Sequence, residues 1–499
     1  MKKNNIKYIL MSVVVFVLAG CDDFLDLDPI SQQTAETAWD SNIEVNSNVL
    51  GIYFKLRENL EFGGTYFDYG DIPAQIFLAT ESEGDHRVFN GDYTTMGMSW
   101  NCNWTRFYKS ILSANLAIKK IPEIPLEVFS NSREDALKIS NSYIGEALFL
   151  RAYTYFFMTR IWGAVPLVTI PVEDASEVVY DYPYETEDNI LKQCLDDLDL
   201  ALEYLSWDPT QGSAAVRANK GSAYALKMHI HMWLTRANRS EIDETNFEKA
   251  IECCNAIEAS GKYQLLPVES MLTIWTQGKT AESLFEFPFN TANNEYFRKE
   301  TFFSHILGYP MNTDRKDAGK PIYVLNSTFT GLYNPLKDKR IEYLYANFGK
   351  LNGYTLKYSS IHYLNTDKTD WRFDNNIVIF RLADMYLLKA EALYMLNQRD
   401  EALVYLNRVR DRAGLAAYTN TGTPLYKAIN DERERELFLE GHRLYDWVRT
   451  GFYVTKSSGY DATRYYKDGH QWPVHFDLLI NNAYARQTPY WQDKVQAYQ

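Results

Sequence analysis

The sequence predicts a mostly α fold. Irregular helical hairpins form a scaffold, and loop-rich regions with a little β form a ligand face. Three observations predict it. Long stretches place apolar residues at helical spacing, small-residue helices lead through short turns into amphipathic ones, and two stretches lose the helical period and concentrate Tyr, Asn, Asp, Gly and Trp.

Residues 103–121, NWTRFYKSILSANLAIKKI, put Phe107, Ile111, Ala114 and Ile118 on one helical face. Residues 134–162 predict a long helix that stops at Gly163, with Pro166 just beyond. Residues 187–205 predict another. The segment 218–237 followed by 246–263 is similar to a tetratricopeptide unit, a small-residue helix and an amphipathic partner ending in Gly-Lys-Tyr. IVIFRLADMYLLKAEALYMLN followed by RDEALVYLNRVRDRAG, residues 377–414, predicts a second such pair. The spacing between units is irregular, so no clean solenoid is expected. The loop-rich stretches are 61–102 and 264–376, with SLFEFPF (283–289) read as a strand in the second. Loops held by a rigid scaffold commonly carry binding function.

With 46% hydrophobic residues a sizeable core is available, and the net charge of −14 argues against nucleic acid, whose phosphates need a basic face. Cys102, Cys194, Cys253 and Cys254 show no CxxC spacing and the adjacent pair cannot easily bridge, so buried free thiols are expected. Aromatic residues make up 15% of the chain, and composition alone does not separate core rings from sugar-binding ones. An exposed ring can lie flat on the apolar C–H face of a sugar. The rings without a helical-face context are Tyr66, Tyr69, Trp100, Tyr296, Tyr309 and Trp371, and Asp68, Asn101 and Asn294 stand beside them as hydrogen-bonding groups. Trp104 opens a helix and is expected in the core.

Catalytic and metal motifs are weak. Glu432, Glu436 and Glu440 lie four apart, as on one helical face, but Glu440-Gly441-His442 lacks the spacing of a carboxylate metal helix. Ion pairs such as Glu440 with Arg443 are the expected use. His229 and His231 diverge on a helix, so they make no metal pair. No HExxH, GxSxG or P-loop is present, and nothing marks a carboxylate pair for glycoside hydrolysis.

Lys2, Lys3 and Lys7 precede YILMSVVVFVLAG, a secretory signal too short to span a bilayer. Leu18-Ala19-Gly20-Cys21 resembles a lipobox, which implies cleavage before Cys21 and acylation of its thiol. The following DDFLDLD resembles the export signal of surface lipoproteins of the Bacteroidetes group, implying the outer face of the outer membrane.

GEALFLRAYTYFFMTRIWGAVPLVT (145–169), FRLADMYLLKAEALYMLNQRDEALVYLNRVRDRAGL (380–415) and INDERERELFLEGHRLYDWVRTG (429–451), with the CDDFLDLDP start, resemble SusD/RagB-type outer-membrane lipoproteins. WPVHF at 472 and QTPYW at 487 depart from that family's usual ending. The resemblance implies a non-catalytic protein that captures an oligosaccharide or polysaccharide and passes it to a SusC-like TonB-dependent transporter; no cofactor and no metal-ligating residues are assigned from the sequence. A peptide cargo, a lipid-anchored glycosidase and a ligand-free assembly scaffold are the rival readings. The implied organisation is a signal peptide (1–20), a lipidated acidic tether (21–44), an N-terminal helical region (45–263) and a C-terminal region (264–499) that includes the loop-rich 264–376.

Overall fold

The computed structural model describes residues 37–61, 65–79, 86–173, 181–209, 212, 215–293, 295–297, 305–307, 323–367, 370–419, 423–456 and 459–495. Cys21, the signal peptide and most of the tether lie outside them. The described residues include ten helices of eight residues or more: Asn42–Glu61 (α1), Thr105–Lys120 (α2), Arg133–Trp162 (α3), Glu187–Tyr204 (α4), Lys220–Leu234 (α5), Thr245–Ala259 (α6), Leu382–Met395 (α7), Arg399–Arg412 (α8), Leu425–Glu436 (α9) and Arg443–Thr450 (α10). None is long and apolar enough to cross a membrane.

Local chemistry sets several helix starts. Ser132 caps α3 by accepting the Asp135 N–H, Thr186 caps α4 through Asn189, and Asn219 and Ser222 form a reciprocal capping box at α5. From Ser142 to Trp162 every residue of α3 is buried, so this helix is the central post rather than a surface element. Helices α2 and α4 pack against it, and α1 packs on α2. The two expected hairpins are present as α5–α6 and α7–α8, and α6 also packs on α7, stacking one hairpin on the other. The four internal cysteines are free and buried.

Two expectations about the helices are corrected. Ile377–Arg381 does not begin a helix. It is a strand paired antiparallel with Ser283–Phe287, both fully buried, and α7 starts only at Leu382. A short apolar run buried on both faces carries no period that separates helix from strand. The charged helix after Asn430 is also broken. Helix α9 stops at Glu436, Leu439 and Gly441 take positive φ of 57° and 76°, and α10 begins at Arg443. Glu440 therefore sits in a corner, off the face shared by Glu432 and Glu436. The corner meets the short helix Thr65–Gly70 so closely that a Cβ on Gly70 would fall 2.3 Å from the Gly441 carbonyl oxygen.

These acids make ion pairs, but not the pair expected. Arg443 goes to Glu434 at 3.2 Å, while Glu440 takes Arg381 at 2.6 Å and Lys357 at 2.8 Å. Arg381 also holds Glu282 and Glu436, Arg340 holds Asp338, Glu432 and Glu436, and Arg412 reaches Glu282 and Glu436. Burial alone raises a carboxyl pKa, but the guanidiniums of Arg435 and Arg340 outweigh it and hold Glu432 at about 2. Burial brings Lys357 down to about 8 despite Glu440 beside it.

The two loop-rich stretches are clasped together. Phe77–Ala79 pairs antiparallel with Tyr323–Leu325, Phe77 opposite Leu325 and Ala79 opposite Tyr323. Asn326 extends the clasp, its backbone N–H to Ile76 O at 2.8 Å and its side chain to Gln75 O at 3.1 Å.

Candidate functional site

The start of α2, which follows the first loop stretch, and the second loop stretch are both tied to the last turns of α1. Asn59 donates to Arg106 O at 3.0 Å on one side. On the other, Arg57 donates to Pro288 O at 2.8 Å and to Glu295 at 2.7 Å.

On the first side Ser99 caps the short turn Trp100–Cys102 and leaves Trp100 50% exposed. The Arg106 guanidinium lies 5.8 Å from the Trp100 ring centroid and donates to the Tyr69 hydroxyl at 3.0 Å. That hydroxyl donates to Asn101 O at 2.7 Å, and the Asn101 amide donates to Asp68 at 3.1 Å. The chain of contacts Arg106–Tyr69–Asn101–Asp68 fixes a half-exposed indole beside two partly exposed polar side chains. Met98 and Leu78 are exposed in the same stretch. On the second side the Arg372 guanidinium sits 5.0 Å from the centroid of the partly buried Tyr296 ring and pairs with Asp370.

The other sequence candidates fall elsewhere. Tyr66 is buried, stacks on Phe157 at 6.2 Å and spends its hydroxyl on Glu440 O at 2.8 Å. Tyr69 is buried against Trp162 and Trp472, at 5.7 and 5.0 Å. Trp371 is 0% exposed and packs edge-on to Phe373 at 5.0 Å. None of these three rings offers a face to a ligand, because each is used in packing. That corrects their reading as stacking rings, although Tyr69 supports the platform from beneath. Asn294 and Tyr309 lie outside the described residues. Trp104 is in the core, as expected, against Trp162 at 5.8 Å.

Sequence reasoning missed Arg106 and Arg372. Arg106 left no local signal, since its approach to Trp100 is set by tertiary packing. Arg372 left one. In the strand Trp371–Phe373 burial alternates in, part-way, in, so Trp371 and Phe373 point to the core and Arg372 away from it.

Behind the platform Asp71 is fully buried and accepts the Gly441 N–H at 2.7 Å. Burial raises its carboxyl to about 7, against the pull of that N–H. A cleft of about 430 Å³, lined by Trp104, Tyr108, Leu112, Val168, Tyr182 and Leu478 among others, contains none of the candidates. As expected, His231 turns away from His229, with Nδ1 2.9 Å from Asn246 Oδ1. His229 instead meets Asp384 and His442, the group with metal-ligand spacing found among the described residues.

The mostly α scaffold is shared with solved structures of the SusD superfamily. A SusD homolog from Bacteroides thetaiotaomicron superposes with a TM-score of 0.79 at 26% identity, over 91% of this chain and 99% of that one. NanU of B. fragilis shares the fold at a TM-score of 0.75 and 21% identity, over 94% of this chain and all of that one. The SusD family profile matches residues 236–494, and the profile described as starch-binding associating with outer membrane matches 23–232. The chain belongs to the SusD family. SusD-like protein P38 of Formosa agariphila is 27% identical, across 96% of this chain and 98% of that protein. The starch-binding protein SusD of B. thetaiotaomicron is 38% identical over 88 residues, 18% of this chain and 15% of that protein.

Proposed function

We propose that this protein is a non-catalytic glycan receptor of the cell surface. It is held in the outer membrane by lipid on Cys21 and passes captured oligosaccharide to a SusC-like TonB-dependent transporter. The observation that carries the reading is the Trp100 platform: a half-exposed indole over Arg106, with Asp68 and Asn101 held beside it. The indole offers a flat apolar face to a sugar ring, and the carboxylate and amide offer acceptors and a donor to its hydroxyls. Tyr296 and Arg372, on the other side of the same end of α1, make a second ring–guanidinium pair. Because the platform is fixed before binding, little ordering cost is left for the ligand to offset. Family membership supports the glycan and the membrane, through a starch-binding relative and a profile named for outer-membrane association. Tethering a receptor beside its transporter raises the local cargo concentration.

The test is a calorimetric screen of the soluble form, starting after residue 21, against a polysaccharide panel. Binding of one glycan class without release of reducing ends, lost in Trp100→Ala, is the expected result. Cleavage of the glycan would make the protein an enzyme, and binding of peptides alone would change the cargo. Loss of incorporated palmitate in Cys21→Ser checks the anchor, and co-purification from membranes checks the transporter.

A further inference from the structure

We propose that His229, Asp384 and His442 bind a divalent first-row cation of the zinc class, and that this ion clamps three parts of the scaffold together. His229 lies on α5, Asp384 in the first turn of α7, and His442 caps the N-terminus of α10. One ligand atom from each lies within 4.8 Å of the other two. His229 Nε2 is 2.6 Å from Asp384 Oδ2, and His442 Nε2 is 3.9 Å from that same oxygen. The imidazoles lie nearly parallel, centroids 5.2 Å apart, with the Phe380 ring 5.0 Å from that of His229. Two imidazole nitrogens and one carboxylate oxygen form a donor set that zinc accepts, with a fourth position for water. Metal–ligand bonds of about 2.0–2.1 Å in a tetrahedron put the ligand atoms about 3.3 Å apart, between the two distances seen here.

The contact between His442 Nε2 and Asp384 Oδ2, at 3.9 Å, is too long for a hydrogen bond. A cation seated between them would bind both atoms.

The surroundings fit. Arg433 takes Asp384 Oδ1 at 2.9 Å, leaving Oδ2 for the histidines. Arg433 in turn pairs with Asp446 at 3.0 Å, and Arg449 pairs with Asp446 and Glu391. Two guanidiniums therefore face three carboxylates, Asp384, Asp446 and Glu391, leaving one negative charge for an incoming cation. For neutral His229 to bind through Nε2, its proton moves to Nδ1, and the metal takes the place of the hydrogen bond to Asp384.

The experiment uses the full-length protein in detergent, stripped with a chelator. Co²⁺ titration followed by ligand-field absorption, and Zn²⁺ titration by calorimetry, should each show one equivalent, and Zn²⁺ should raise the Tm. His442→Gln and His229→Gln should weaken Zn²⁺ about 100-fold or more, while His362→Ala, at an exposed strand position, should change nothing. His229→Gln also breaks a buried hydrogen bond and is read only if folded. The wild-type readouts stand without it. No ligand-field band at saturating Co²⁺, no Tm change with Zn²⁺, or one equivalent that survives in folded His442→Gln would each overturn the proposal.

Discussion

Arg381 grips Glu440 with two hydrogen bonds, Nε to Oε2 at 2.6 Å and Nη2 to Oε1 at 2.9 Å, both side chains sealed from water. The same guanidinium holds Glu282 at 2.7 Å and Glu436 at 2.6 Å. One cation therefore joins the central strand pair, the end of α9 and the corner after it. A buried ion pair adds little net stability over an apolar replacement, but losing one partner leaves a bare buried charge. Arg381→Met is expected to cost about 3–5 kcal/mol, read as the urea midpoint. Arg408→Met, at a part-exposed pair with Glu258, is expected to cost under about 1 kcal/mol.

The acids Asp71 and Glu432 shift stability in opposite directions with pH. Asp71 rises from 3.8 to about 7 on folding, so between those values the native state holds a proton that the unfolded chain has lost. Its stabilising contribution is present below pH 4 and is lost as the pH climbs to 7. Glu432 falls from 4.5 to about 2, so its contribution is present above pH 4.5 and is lost as the pH drops toward 2. Asp71→Asn should remove the loss on the alkaline side, about 1.4 kcal/mol per pH unit at most. Urea unfolding at pH 5 and pH 8 checks it. Equal slopes in wild type and variant would mean Asp71 stays ionised.

Trp100 and Trp371 should separate binding from folding. Trp100→Ala is expected to weaken glycan binding about tenfold or more, ~1.4 kcal/mol, with the Tm unchanged. Trp371→Ala should instead cost about 3–5 kcal/mol of stability, as large core truncations do. Calorimetry and thermal denaturation of the two variants read both effects. A Trp100→Ala protein with wild-type affinity would remove the platform from the site.

Gly70 and Gly51 make a matched pair. Ala at 70 would drive a Cβ to 2.3 Å from backbone, whereas Ala at 51, inside α1, meets nothing within 4 Å. Gly70→Ala should cost about 1–3 kcal/mol through overpacking. Gly51→Ala should gain about 0.8–1 kcal/mol from helix propensity. Chemical denaturation of both variants measures the contrast.

The scaffold was legible because its signals are local. At the helices capped by Ser132, Thr186 and Asn219 the observed starts fall within two residues of the expected ones. What was not legible is decided by distant partners. Ile377–Arg381 is a strand because Ser283–Phe287 pairs with it, and Glu440 leaves its helix for a corner where Arg381 and Lys357 await it. Of the rings proposed as stacking surfaces, Tyr66, Tyr69 and Trp371 resemble Trp100 in sequence and differ from it only in what packs over them. Only for Trp371 did strand alternation hold the answer.

The clasp between the loop stretches has a kinetic consequence. Asn326 and Gln75 stand 251 residues apart in the chain, while neighbouring hairpin helices meet across short connections. Long-range closure must be reached before its contacts reward it, so it tends to come late. The helical hairpins should assemble first and the ligand face last. Pulsed hydrogen exchange should then protect the amides of α3 before those of Leu78 and Val324, and simultaneous protection would refute that order. A nascent chain would be competent as a helical framework well before it is competent as a receptor.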